Sequence, residues 1–247
     1  DFLEGEEGKY YVWTPPQIEE ILGTEDAKLF CDYYGITPRG NFEHGTSNPH
    51  VTMPPGEFAR KLGLSEEEWL VRLEEMKLRV REARSRRVPP GTDDKCLTSW
   101  NGLMISALCR GYQVLGEERY LQAARRAADF ILQTQRPPGG ELLRCWCKGK
   151  SSISGMLDDY AFFVAALIDL YESCFETGYL QAARELTDTM LERFGDPERG
   201  GFYFTAEGDP TLITRTRESH DSATPAGSSV AAHSLLRLAA LFGHEAY

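Results

Sequence analysis

The chain has 247 residues, of which 41% are hydrophobic and 11% aromatic, so it is long enough and apolar enough to bury a substantial core. Its formal net charge at pH 7 is -11, with a pI near 5.0. This balance excludes the basic footprint that nucleic acid or an anionic membrane surface requires, and we expect neither as a partner.

The first elements in chain order are a strand and two short helices. Residues 8–13 have the aromatic and β-branched character of a strand. The segment Thr14-Pro-Pro-Gln17 supplies an N-cap, a proline at the first helical position and a capping-box glutamine, and predicts a helix to about Leu22. A second helix is expected from about Glu25 to Tyr34. Residues 35–53 then form a long loop rich in Gly, Asn, Pro and Thr, and loops of that length are usually functional or mobile.

A long amphipathic helix follows this loop. Ser65-Glu-Glu-Glu68 is a second capping box, and the apolar residues after it recur at helical spacing: Trp69, Leu73, Met76 and Val80. The helix ends in three arginines, Arg84, Arg86 and Arg87. We interpret these cations as partners of the negative end of the helix dipole and not as a binding patch.

The second half of the chain contains an internal repeat. Tyr120-Leu-Gln-Ala-Ala-Arg125 returns unchanged as Tyr179-Leu-Gln-Ala-Ala-Arg184, and Gly116 to Tyr120 is echoed by residues 243–247. A repeat of this size marks a supersecondary unit that must stack on its neighbours to bury its apolar face. We expect each unit to be a pair of helices, stacked into a solenoid or a closed toroid.

The two helices of each unit differ in character. The first helices are apolar on most faces and predict buried, inner positions, as in residues 103–114 and 162–170. The second helices, Leu121 to Gln135 and Leu180 to Phe194, have a polar face and predict outer positions. A glycine pair and a strand pattern follow each second helix, at residues 139–146 and 200–205. Small β-hairpins are therefore expected at one end of the helices.

Cysteine and histidine usage gives no indication of a cofactor or a metal. The six cysteines show no disulfide framework, and Cys109 and Cys174 fall within apolar helices. Cys145-Trp-Cys147 lacks the two-residue spacer of a thioredoxin-type pair. The five histidines show no paired ligand spacing. From these patterns we expect neither a cofactor nor a metal. No apolar run approaches a membrane span and the N-terminus carries no signal peptide, so we expect a cytoplasmic protein.

Polar residues concentrate just before the predicted inner helices. They occur in Thr92 to Asn101, in Asp158-Asp-Tyr160 and in Glu218 to Pro225. If the inner helices start on one rim, these segments meet there, and the exposed N–H groups and positive dipole ends suit hydroxyl-rich or anionic ligands. Asp94 and Asp221 hold equivalent positions, each seven residues before Asn101 and Ser228 respectively.

Paired carboxylates on such a rim are what glycoside chemistry requires, one protonated to assist the leaving oxygen and one ionised. The catalytic candidates are Asp94, Asp159 and Asp221. The candidates for substrate binding are two aromatic residues that could stack on a sugar ring and three polar residues: Trp100, Tyr160, Lys95, Asn101 and His220.

Each candidate also has a purely structural explanation. Asp159 is a normal helix-capping residue. Asp93-Asp-Lys95 could be an exposed charge cluster, and Trp100 and Tyr160 could be core aromatics. A lone loop histidine such as His220 is more often solvated than catalytic.

Several unusual motifs together carry a resemblance to a known family. They are spread over the chain: Glu7-Gly-Lys-Tyr-Tyr-Val-Trp-Thr14, Tyr33-Tyr-Gly-Ile-Thr37, Asp94-Lys-Cys-Leu-Thr-Ser-Trp-Asn-Gly-Leu-Met104, Leu157-Asp-Asp-Tyr-Ala-Phe162 and Ala223-Thr-Pro-Ala-Gly-Ser-Ser-Val-Ala231. With these motifs the chain resembles the spermatogenesis-associated, thioredoxin-domain-containing protein family.

The resemblance implies an all-α fold, an (α/α)6 toroid of the six-hairpin glycosidase type, with a thioredoxin-like domain elsewhere in the intact protein. Residues 1–247 would be the central part of this one toroid domain, truncated at both ends, with about nine of twelve helices and small β-hairpin insertions. Such folds occur in sugar epimerases and sugar hydrolases. We therefore expect a sugar or polyol ligand and a carboxylate-driven sugar hydrolysis or related conversion. The alternative is a non-catalytic module that presents a glycan or polypeptide to the thioredoxin-like domain.

Overall fold

The computed structural model describes residues 7–208 and 214–243, and within these ranges the chain divides into two compact units, residues 1–93 and 94–247. The predicted assignment of residues 1–247 to one domain stays a prediction. Among the described helices, none combines the length and the apolar character that crossing a bilayer needs.

The first unit contains four α-helices in its described part: α1 Pro15–Leu22, α2 Thr24–Tyr34, α3 Pro55–Leu62 and α4 Glu66–Ser85. Both predicted capping boxes are confirmed, because the Thr14 N–H donates to Gln17 Oε1 at 3.0 Å and the Ser65 N–H donates to Glu68 Oε2 at 2.8 Å. The predicted apolar stripe of α4 is its buried face, and Trp69 at its centre is fully buried against Tyr33 and Phe58.

The predicted strand at residues 8–13 is wrong. Tyr11 N–H and Val12 N–H both donate to the Gly8 carbonyl, so the chain turns there, and only Trp13 forms a single bridge, with Ser47. The guanidinium of Arg87 lies 3.6 Å from the centre of the Trp13 ring and donates to the Val12 carbonyl at 2.8 Å. This arginine therefore fixes the chain before α1, in addition to any effect on the dipole of α4.

The second unit is built from two helical hairpins and one further helix, with a small antiparallel sheet. Its elements are β1 Cys96–Leu97, α5 Thr98–Leu115, α6 Glu118–Thr134, β2 Leu143–Cys147, β3 Lys150–Ser154, α7 Leu157–Cys174, α8 Thr177–Phe194 and α9 Gly227–Phe242. The sheet has the order β1-β2-β3. Three of the four boundaries of the α7/α8 hairpin lie 59 residues after their counterparts in α5/α6, and α8 ends one residue later, which confirms the repeat.

The helices of this unit have an inner and outer order. α7 packs against both α5 and α9, while α6 packs chiefly against α5 and α8 against α7. This is the arrangement of an incomplete (α/α) toroid, and the predicted fold class is confirmed. The third copy of the repeat motif falls largely on residues 244–247, which lie outside the described residues.

Burial is uneven among the inner helices. In α7, 12 of 18 residues are buried, whereas α5 and α9 each bury only one stripe. Val114, expected in an inner face, is 80% exposed, because no described element covers that side of α5. The described flanks also expose Met104, Leu115, Leu236 and Leu241. An incomplete toroid is expected to leave such apolar flanks uncovered, and we predict that they promote self-association of the chain.

Only one of the two expected β-hairpins forms in the described residues. β2 and β3 are that hairpin. Residues 200–205 make only a single bridge, between Gly195 and Phe202, because the backbone of this segment bonds elsewhere. The Tyr203 N–H donates to the Phe194 carbonyl and the Phe204 N–H to the Thr216 carbonyl, so the segment packs on the end of α8.

Candidate active site at the starts of the inner helices

One buried carboxylate joins the starts of two inner helices. Asp159, in the first turn of α7, is completely buried. Its Oδ1 accepts the backbone N–H of Ser99 in α5 at 3.0 Å, and its Oδ2 accepts the N–H of Met156 at 3.0 Å. Arg144 of β2 donates to the same Oδ2 at 3.1 Å. The predicted rim therefore exists for these two helices, and Asp159 links them.

The neighbouring carboxylate, Asp158, lies against the start of the third inner helix. A Cβ atom on Gly227, the first residue of α9, would lie only 2.2 Å from Asp158 Oδ1, so this position admits only glycine without rearrangement. Asp158 Oδ1 is itself buried and makes no hydrogen bond to any described residue. The starts of α5, α7 and α9 thus meet around the Asp158-Asp159 pair.

The surroundings of Asp158 favour its protonated form. Burial is the largest cause, followed by the negative charges of Glu218 and Asp159, and together they raise the pKa of Asp158 from 3.8 to about 6. Arg144 and the Gly227 amide partly oppose this shift. Glu218 is exposed to solvent on the segment before α9. The rim thus carries two neighbouring carboxyl groups, those of Asp158 and Glu218, in different environments.

Sequence reasoning did not select Asp158, Glu218 or Arg144. A signal for Asp158 was present in the Asp158-Asp159 pair. The capping box places its reciprocal acceptor at the third helical position, which is Asp159, and this leaves the second position for a different role. A glycine at the first position of α9 was a further sign that another group approaches the backbone there.

The other candidates lie at different depths. Tyr160 is completely buried, its hydroxyl accepts the Leu142 N–H at 2.8 Å, and its ring contacts Phe194. The expectation that it stacks on a ligand is therefore corrected: Tyr160 is a core aromatic. Trp100, by contrast, is 66% exposed in the first turn of α5. The Asn101 side chain donates to the Leu97 carbonyl at 2.9 Å and fixes the turn from β1 into α5.

Asp94 and Asp221 lie on the loops that lead into α5 and α9. Asp94 is exposed and accepts the Cys147 thiol at 3.0 Å, a contact that raises the pKa of that thiol above its ordinary value. Cys147 lies three residues along β2 from Arg144, and at the rise of a strand the two Cα atoms are about 10 Å apart. Asp221 Oδ1 accepts the Ala226 N–H at 2.9 Å and holds the loop before α9. Lys95 and His220 are exposed, and the His220 ring lies beside the Ser219 hydroxyl.

Within the described ranges, no group of three or more His, Cys, Asp and Glu side chains could hold a metal ion. None of the six cysteines forms a disulfide; Cys109 is buried and Cys174 is half-buried. The arrangement is thus one of carboxyl groups, helix N-termini, an arginine and an exposed tryptophan. Such a set can bind hydroxyl groups and move protons.

The second unit is therefore a helical-hairpin array with a carboxyl pair at the starts of its inner helices. Human spermatogenesis-associated protein 20 is 32% identical over 273 residues, 97% of this chain, and its mouse counterpart is 32% identical over 98% of the chain. The family resemblance drawn from the motifs is confirmed: the chain is a relative of the spermatogenesis-associated proteins. It spans about a third of the length of these curated relatives, 34% in both cases.

No family model matches the chain. Among solved structures, cellobiose 2-epimerase from Spirochaeta thermophila aligns with 64% of this chain and 41% of its own, at 19% identity and a TM-score of 0.47. A family 76 α-mannanase from Bacteroides thetaiotaomicron aligns with 76% of this chain and 54% of its own, at 17% identity and a TM-score of 0.48. At these identities and TM-scores neither likeness carries an argument about this chain.

Proposed function

We propose that the rim of the second unit is a carbohydrate-active site in which Asp158 and Glu218 are the working carboxyl pair. The observation that carries this proposal is the environment of Asp158, a half-buried carboxyl whose Oδ1 accepts no hydrogen bond from a described residue and whose pKa is raised to about 6 beside a second, exposed carboxylate. Two carboxyl groups whose surroundings differ in this way are the usual basis for an acid and base division of labour.

In this proposal Asp158 donates its proton to the leaving oxygen, and Glu218 activates water or stabilises the developing positive charge. Asp159 takes a positioning role in place of the catalytic role expected from the sequence, since both of its oxygens are engaged by Ser99, Met156 and Arg144. Trp100 offers its exposed ring for stacking on the sugar. Asp94, Lys95, Asn101, Asp221 and His220 remain proposed contacts to the substrate or to the loops that hold it.

The test is a turnover screen of glycans and sugar phosphates on the full-length protein, followed by Asp158→Asn and Glu218→Gln. We expect each substitution to lower kcat at least about 100-fold, the usual contribution of a positioned acid or base. Wild-type activity should fall as pH rises above about 6, because Asp158 then loses its proton. Glu118→Gln is the matched control, since Glu118 is exposed at the start of α6, the opposite end of the hairpin, and should change nothing.

Two results would contradict the catalytic proposal. One is turnover that persists in both variants, and the other is sugar binding without turnover by any substrate class. The second result favours the alternative, a non-catalytic module that presents a glycan or polypeptide to a thioredoxin-like domain. The observation in favour of this alternative is that Asp159 and Asp221 both serve backbone N–H groups.

A further inference from the structure

A separate cavity lies in the first unit, and the rim site does not involve it. It has a volume of about 480 Å³ and lies between α2, α4, the chain before α1 and the Asn48-Pro49 loop. Its walls carry four aromatic side chains: Tyr11, Trp13, Phe30 and Tyr34. The size and the predominance of aromatic groups are typical of sites for small organic ligands.

Two arginines of α4 line this cavity without a charged partner among the described residues. Arg81 is exposed and makes no hydrogen bond or ion pair with any described residue. The guanidinium of Arg84 lies 5.4 Å from the centre of the Tyr10 ring and 5.8 Å from that of Tyr11, and its Nε is buried without a hydrogen-bond partner in the part of the chain that the structure describes. A buried donor left without a partner costs free energy, which a bound acceptor would recover.

The other arginines near the end of α4 differ from these two. Arg79 donates to the backbone carbonyls of Ile21 and Leu22, and Arg86 pairs with Glu82. Arg87 donates to the carbonyls of the chain before α1. Hydrogen bonds and ion pairs therefore engage these three side chains, whereas Arg81 has neither with a described residue and Arg84 contacts the Tyr10 and Tyr11 rings only.

The remaining polar groups of the cavity do not cancel the positive charge. Lys77 is paired with Glu74 at 2.6 Å, so this couple is neutral as a unit. The Tyr34 hydroxyl makes no hydrogen bond to a described residue and is available as a donor, and burial raises its pKa above the ordinary value, so it remains protonated at neutral pH. The cavity thus presents two cations and a hydroxyl donor in a chain whose net charge is -11.

We infer that this cavity binds a small organic anion that carries a flat ring. The ring packs against the aromatic wall and the anionic group accepts from Arg81 and Arg84. Arginine suits this task because its guanidinium binds carboxylate or phosphate through two parallel hydrogen bonds and also stacks on aromatic rings.

The test is calorimetric titration of the full-length protein with 2-naphthoate, 2-naphthyl phosphate and the neutral 2-naphthamide. Both anions, or one of them, should bind at least tenfold more tightly than the amide, and the tighter anion identifies carboxylate or phosphate as the natural group. Arg81→Gln and Arg84→Gln should each weaken binding of the anion without changing that of the amide. Tyr11→Ala should weaken both, because it removes part of the aromatic wall.

Arg86→Gln is the control, because Arg86 lies on the same helix and already has an acidic partner. Far-UV circular dichroism establishes that each variant is folded. Three results would overturn the inference. They are equal binding of anion and amide, no binding of either anion, and anion binding that survives both arginine substitutions. Tight binding of an acidic peptide that 2-naphthoate fails to displace would also overturn it, in favour of a protein-docking surface.

Discussion

Replacing Asp159 with asparagine is expected to lower the free energy of unfolding by about 3 kcal/mol. The carboxylate accepts two backbone N–H groups and one guanidinium while fully buried. An asparagine of the same shape has one oxygen and one NH2 group. Whichever way its amide points, a donor faces a donor, and at least one buried N–H at the start of α5 or α7 loses its partner.

The adjacent substitution should have the opposite sign. Asp158 is protonated up to about pH 6 in the folded chain but ionises near pH 3.8 once unfolded, so its contribution to stability is present at low pH and is lost as pH rises through this window. Asparagine does not ionise. Asp158→Asn should therefore leave stability unchanged below pH 4 and raise it above pH 6. Because the group is only partly buried, we expect a gain of about 1 kcal/mol, well below the full value of the shift.

Equilibrium urea unfolding at pH 4 and pH 7 measures both effects. The pair of neighbouring aspartates forms its own control, since the two substitutions are chemically identical. If Asp158→Asn destabilises the chain at pH 7, or if Asp159→Asn costs less than 1 kcal/mol, the division between a reactive and a structural aspartate is wrong.

Replacing Gly102 with alanine is expected to cost between about 2 and 3 kcal/mol. A Cβ at Gly102 in α5 would lie 2.7 Å from the Phe162 carbonyl carbon, 2.8 Å from its oxygen and 2.9 Å from the Phe163 nitrogen. These are backbone atoms of α7 and cannot rotate away, so the two helices must separate. Overpacking of this kind costs up to about 3 kcal/mol, and the better helix propensity of alanine recovers at most about 1 kcal/mol.

Gly111 provides a control on the same helix. A Cβ there would lie 3.6 Å from the Tyr120 ring, an ordinary contact, so Gly111→Ala should stabilise the chain by about 0.5 to 1 kcal/mol through helix propensity alone. Thermal unfolding of both variants checks the difference. A Gly102→Ala chain as stable as Gly111→Ala would mean that α5 and α7 do not approach as closely as described.

The elements that could be predicted from the sequence are those set by local rules. The capping boxes at Thr14 and Ser65 and the buried stripe of α4 depend on spacing within one helix, and the 59-residue repeat fixed the two hairpins. The segments at residues 8–13 and 200–205 have strand-like composition. Their hydrogen bonds go to turns and helix ends, which no local pattern records.

The sequence predicts that the starts of the inner helices meet, but that this rim is an active site stays a prediction. The sequence located the rim, because polar segments precede each inner helix, and it selected Asp159 for its type and position. Asp158 and Asp159 point in directions about 100° apart around α7. Which of the two is engaged depends on Ser99 and Arg144, which lie 60 and 15 residues from Asp159 in sequence. The environment of Asp158 likewise depends on Glu218 and Gly227, which only the packing of α9 against α7 brings near.

The uneven burial of the inner helices has a consequence for amide hydrogen exchange. α7 is enclosed by its neighbours, so its central N–H groups, from Phe162 to Leu170, should exchange only when the whole unit unfolds. The solvent-facing sides of α5 and α9, around Val114 and Leu236, should exchange by smaller local openings and therefore sooner. Mass spectrometry of deuterium uptake would compare the exchange rates of the three helices. We expect the slowest exchange in α7, the helix that carries Asp158 and Asp159 in its first turn.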